Sequence, residues 1–99
     1  NIRGLLRDLD DLQELLHERN PRVLCVQETH LKRTHTNFLC NYVIFRKDRD
    51  DAMPSSGGVA VIVSQGIACT QLPLQTSLEA VAVRAVILNK LVTVCSLYI

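Results

Sequence analysis

Val23-Leu24-Cys25-Val26-Gln27-Glu28-Thr29-His30 is the stretch on which the reading of this chain turns. Four apolar residues follow Asn20-Pro21-Arg22, a helix-stopping and turn-forming run, so positions 22–27 are predicted to form a short buried strand. Glu28 then falls just past the last apolar position, at the carboxyl end of that strand. Open α/β sheets place their ligand sites there. A carboxylate is also a hard oxygen donor of the kind Mg²⁺ prefers. The plain structural alternative is a solvated glutamate opening a loop.

Ahead of this strand, Leu5, Leu9, Leu12 and Leu16 recur at offsets of four, three and four. Leu15 widens the stripe, and Asp8, Asp10, Asp11, Glu14 and Glu18 fall elsewhere on the wheel. The spacing predicts an amphipathic helix with one core-facing side. Acidic residues lie toward its start and His17 and Arg19 toward its end, which suits the macrodipole. Asn20-Pro21 stops it. A helix placed directly before a strand reads as a βαβ unit whose first strand is missing.

Beyond His30, Thr29 to Asn41 is polar and irregular. Tyr42 to Phe45 reads as a short strand. Arg46 to Gly58 reads as a charged and then small-residue loop. Val59 to Ser64 is apolar at every position but the last, the composition of a strand buried on both faces. Gln65-Gly66 is a turn, Ala68 to Leu72 a weak strand, and Pro73 its end. Leu78–Leu88 and Leu91–Ile99 are β-rich runs separated by Asn89-Lys90, the length of a two-residue hairpin loop. That loop would set Tyr98 opposite Val81 and Arg84 opposite Cys95. It would also put Lys90 at a positive-φ position that lysine fills poorly. Gly57-Gly58 is followed by no Lys-Ser/Thr pair and no helix, so it is a strand entry with close backbone approach rather than a phosphate cradle.

The chain has 99 residues, 47% of them hydrophobic, a composition that permits one modest core. With two Tyr, two Phe and no Trp, that core must be built from Val, Leu, Ile and Ala. A net charge of +1 gives no global field demanding a polyanionic partner. The four cysteines, Cys25, Cys40, Cys69 and Cys95, show no Cys-x-x-Cys spacing, which argues against zinc. Cys25 and Cys95 lie in apolar runs and read as small buried hydrophobes. Reduced thiols and an intracellular protein are the expectation. No apolar run approaches the ~18 residues of a membrane span, so no membrane partner is expected.

Four blocks in order carry a resemblance: Asn1-Ile2-Arg3-Gly4, Gln27-Glu28-Thr29-His30, Gly57-Gly58-Val59-Ala60-Val61 and Cys95-Ser96-Leu97-Tyr98. Together they resemble the N-terminal half of an endonuclease/exonuclease/phosphatase domain, closest to that of LINE-type (non-LTR) retrotransposons. The resemblance covers nearly the whole chain. It implies an α/β fold, here half of a two-sheet sandwich with helices outside, lacking the first strand and the C-terminal half. The family's Gly-Asp-Phe-Asn-like and Ser-Asp-His blocks lie downstream of the matching Tyr, and this chain has neither.

By the same resemblance, Glu28 is a Mg²⁺ ligand (Mn²⁺ being an alternative ion) and Asn1 helps hold the metal and phosphate. Tyr98 donates its hydroxyl to a phosphate oxygen. The implied activity is Mg²⁺-dependent nicking of target DNA, in the nucleus for the parent protein, with this chain inactive alone. Asn1 as a helix cap and Tyr98 as a strand-end aromatic are the structural alternatives. Thr29 supports Glu28, and His30 and His35 are loop histidines. Lys32, Arg33, Arg46, Lys47 and Arg49 sit in two loops that would offer phosphate contacts. Asp48, Asp50 and Asp51 partly neutralise the second. Rival readings are an abasic-site endonuclease or phosphoinositide phosphatase of the same superfamily. A further rival is a non-catalytic remnant that self-associates through exposed sheet edges.

Overall fold

In a computed structural model, the structure describes residues 9–27, 29, 39–48 and 57–98. They form one helix, α1 (Leu9–Arg19), and six strands: β1 (Val23–Gln27), β2 (Tyr42–Lys47), β3 (Val59–Ser64), β4 (Cys69–Leu72), β5 (Glu79–Ile87) and β6 (Lys90–Tyr98). The strands make two three-stranded sheets in the orders β1-β3-β2 and β4-β5-β6. Every pairing is antiparallel. The domain is therefore mostly β, and the parallel geometry implied by a βαβ reading is absent among the described residues. The physical reason lies in β3. It comes back from the 57–58 glycines running against both β1 and β2, so each neighbour is antiparallel to it.

The layers are helix, sheet and sheet. Leu12 and Leu16 of α1 pack with Val26, Ala60 and Ile62 on one face of the first sheet. Val59, Val61 and Val63 point the other way and pack against Val81 and Val83 of β5. Val59 through Val63 are all fully buried, as an unbroken apolar strand requires. Leu15 is 40% exposed and lies off the helical stripe that the leucine spacing widened to include it. The helix ends as Asn20-Pro21 predicts. Asn20 takes a left-handed φ of 46°, and its amide donates to the carbonyl of Leu16 at 2.9 Å. This is the single-bond αL cap, with proline barring continuation.

Three sequence expectations change. Strand β2 runs on to Lys47, so Arg46 and Lys47 are strand residues rather than loop residues. Cys25 and Cys95 are exposed. They sit on β1 and β6, both edge strands, where an apolar run does not imply burial on two sides. The hairpin turns one position earlier than expected. Leu88 and Asn89 are its central residues, at φ 52° and 64°, and Ile87 pairs with Lys90. Tyr98 therefore lies opposite Glu79, and Arg84 opposite Thr93. Two positive-φ central residues define a type I′ turn. Asn89 suits it, whereas Leu88, 72% exposed, gains no burial in return for the strained conformation.

The left-handed conformation costs an ordinary L-residue about 1–2 kcal/mol, and asparagine visits it more readily. Leu88→Asn is expected to raise stability by up to about 1 kcal/mol. Urea unfolding should show a higher midpoint at an unchanged slope. A lower midpoint would mean that the turn is not type I′.

Candidate functional site

The antiparallel registers bring five strand termini to one end of the sandwich. Gln27, at the end of β1, and Lys47, at the end of β2, both pair with Val59, the first residue of β3. Glu79, the first residue of β5, pairs with Tyr98, the last of β6. Strand termini at that end also connect the sheets. The Gly58 amide donates to Oε1 of Glu79 at 2.8 Å. The Gln27 side-chain amide donates to the carbonyl of Leu97. Lys47 Nζ donates to the carbonyls of Thr76 and Leu78 at 3.2 and 2.7 Å.

Gly58 is the tightest point. Its φ is 91°, and a Cβ built there would meet Thr29 Oγ1 at 2.5 Å, closer than real Cβ contacts come. The Thr29 amide donates to the Gly58 carbonyl at 3.2 Å. Thr29 is completely buried, and its hydroxyl has no hydrogen-bond partner among the described residues. The Gly57-Gly58 pair is thus the close-approach strand entry that its sequence suggested, with both glycines at positive φ. Each face of that entry is used: its carbonyl receives the segment leaving β1, and its amide binds the carboxylate beginning β5.

Of the sequence-predicted site residues, Tyr98 lies at this end, half-buried and packed against the inter-sheet valines. Asn1 and Glu28 lie outside the described residues, as do His30, His35, Lys32, Arg33 and Arg49. Gln27 and Thr29, which flank Glu28 in sequence, are both at this end. Arg46 and Lys47 are not free phosphate contacts. Arg46 Nε lies 3.4 Å from Asp48 Oδ2, and Lys47 holds the two carbonyls before β5. Glu79 is the residue that sequence reasoning missed. A correct hairpin register would have set it beside Tyr98.

Among the described residues, no group of three His, Cys, Asp or Glu side chains is placed to hold a metal ion. Glu79 is a carboxylate at this end, and it accepts the Gly58 amide. The described donors do not fit a metal by themselves. No helix of the described residues is long and apolar enough to cross a membrane. The chain matches no protein-family model and no curated protein.

Because Gly58 combines positive φ with the Thr29 contact, Gly58→Ala is expected to destabilise the fold by about 2 kcal/mol or more. Thr29→Ala removes the obstructing hydroxyl. The double variant should therefore recover part of the loss, leaving about 1 kcal/mol for the φ strain. Strictly additive single effects in denaturant melts would show that the two residues do not touch.

Proposed function

We propose that this chain is the N-terminal half of a Mg²⁺-dependent DNA endonuclease domain of the endonuclease/exonuclease/phosphatase type, closest to that of LINE-type retrotransposons. It would be half of an α/β sandwich, in a parent protein that nicks target DNA in the nucleus. One observation carries the reading. Three of the blocks that bear the resemblance are far apart in sequence, yet meet at one end of the sandwich. Thr29 of the Gln27-Glu28-Thr29 block donates to Gly58 of the Gly57-Gly58 block. Gly58 donates to Glu79, which is paired with Tyr98 of the last block. A chance likeness of short motifs would give no reason for such convergence.

Phosphodiester hydrolysis needs neutralisation of developing charge, activation of water and donors for the non-bridging oxygens. In this proposal Glu28 and Asn1 would hold the Mg²⁺, or Mn²⁺, which would supply the charge neutralisation when bound. Tyr98 donates its hydroxyl to a phosphate oxygen, with its ring held by the inter-sheet core. Thr29 anchors the segment bearing Glu28 through its amide. The water-activating residues belong to the family's downstream blocks. A second reading, a module that self-associates, draws on the outer edges of β1, β2, β4 and β6, which have no ladder partner among the described residues.

The test uses protein made from the reading frame that encodes this chain with its flanking sequence, incubated with supercoiled plasmid and Mg²⁺. Glu28→Gln keeps shape and removes charge, so nicking should fall by orders of magnitude while circular dichroism is unchanged. DNA binding without metal should stay the same or tighten, because a charge repelling phosphate is gone. Tyr98→Phe should lower nicking by roughly 10–100-fold, the worth of one hydrogen bond to a charged oxygen. Near wild-type nicking by Glu28→Gln at limiting Mg²⁺ removes the nuclease reading. Concentration-dependent association without any nicking favours the self-associating module.

A further inference from the structure

The residues joining α1 to β1 are each tied to a different element. The Asn20 amide donates to the carbonyl of Leu16 in α1 at 2.9 Å, and the Tyr42 hydroxyl of β2 donates to the carbonyl of Pro21 at 3.3 Å. The Ser64 amide of β3 donates to the carbonyl of Arg22 at 2.9 Å. Past Ser64 the chain turns, and the Ile67 amide donates back to the Ser64 carbonyl at 3.1 Å. An open cleft of about 500 Å³ lies here, lined by residues 19–22 and by Ser64, Gly66 and Ile67. The five residues of β1 separate it from the end that carries Gln27, a span of about 16 Å.

The lining is cationic. Arg19 and Arg22 are both exposed, and neither has an ion pair or hydrogen bond among the described residues. None of the described residues lining the cleft is acidic. The carbonyl end of α1 opposes them with roughly half a negative charge. Two full positive charges outweigh it, and the Asn20 amide already occupies the Leu16 carbonyl. Asn20 and Ser64 add neutral hydrogen-bond donors. Pro21 and Ile67, both half-buried, add an apolar wall. The net charge of the whole chain is only +1, so attraction for an anion has to be local in this way.

We propose that this cleft binds a phosphorylated small molecule, with its phosphate or diphosphate between Arg19 and Arg22 and its organic part on Pro21 and Ile67. A guanidinium matches phosphate oxygens with paired N–H donors in a fixed plane. The volume lies in the range of about 300–1,000 Å³ usual for small-molecule sites, and a lone inorganic phosphate would leave most of it empty. The helix end and the three backbone ties hold the stems of both arginines before a ligand arrives, which lowers the ordering cost of binding. No residue of the candidate site at the other end lines the cleft, so binding here does not depend on nuclease activity.

The test titrates ¹⁵N-labelled protein with ADP and follows the amide shifts by NMR. Saturable shifts are expected at Asn20, Arg22, Gly66 and Ile67, with the amides of β5 and β6 unmoved. Arg19→Gln and Arg22→Gln should each weaken ADP binding by roughly 10-fold or more, the worth of one hydrogen bond to a charged group. Arg84→Gln removes the same charge from an exposed position on β5 and should leave the affinity unchanged. Gly66→Glu sets a carboxylate at the cleft and should abolish binding with circular dichroism unchanged. A Cβ at Gly66 meets no atom within 4 Å, and this glycine is not at positive φ, so the fold accepts the side chain. An unphosphorylated single-stranded DNA oligonucleotide at equal concentration should not displace ADP. Unsaturable or scattered shifts, full affinity in the Arg19 and Arg22 variants, or an equal loss in Arg84→Gln would each overturn the proposal. Displacement of ADP by the oligonucleotide would overturn it too, making the cleft a nucleic-acid contact.

Discussion

The strand Val59–Ser64 has no apolar face turned to water, and the arrangement of every other element follows from that. Its even positions, Ala60 and Ile62, need one cover, and its odd positions, Val59, Val61 and Val63, need another. The helix supplies the first through Leu12 and Leu16. The second sheet supplies the other through Val81 and Val83. Burying a valine side chain contributes about 1.5–3 kcal/mol relative to leaving it exposed. Five consecutive buried positions therefore outweigh any propensity of the flanking segments. Sequence-distant strands are fixed on either side of β3 because only that arrangement removes both of its faces from solvent.

The same strand determines how its own entry is built. β3 begins where β1, β2 and the second sheet all come close, so the residue ahead of Val59 must fit among backbones. Glycine at 58 meets this condition because it lacks the Cβ that would strike Thr29 and because it accepts a φ of 91°. Its amide and carbonyl then become connectors to Glu79 and Thr29. The result is a tightly set end of the sandwich, in which the Gly58 backbone and the side chains of Glu79, Gln27 and Lys47 together fix the relative positions of Thr29, Glu79 and Tyr98. Binding or catalytic groups are held best by such rigid supports.

Much of this was legible in the chain. The leucine spacing gave the helix, Asn20-Pro21 gave its end, and the unbroken apolar run at Val59 gave the doubly buried strand. Gly57-Gly58 read correctly as a close approach. What escaped the sequence was relational. A βαβ pattern suggested parallel strands, but the direction of β1 is set by its pairing to β3, which no local pattern encodes. By sequence the hairpin turn falls on Asn89-Lys90, the pair that separates two β-rich runs, whereas the structure turns on Leu88-Asn89, with leucine at a left-handed position. The long pairing of β5 with β6 overrides that local cost at Leu88. The slip shifted the register by two residues, which preserved the faces but hid Glu79 behind Val81. Apolar runs also concealed which strands are edges, and so the exposure of Cys25 and Cys95.

The geometry of this end rests on the tie between the segment leaving β1 and the entry of β3. Backbone hydrogen exchange measured by NMR reads that tie at the Thr29 amide, which is bonded to the carbonyl of Gly58. This amide is expected to exchange as slowly as those of the β3 ladder, through opening of the whole domain rather than local fraying. Exchange of Thr29 at the rate of an unstructured peptide, with the β3 amides still protected, would contradict it.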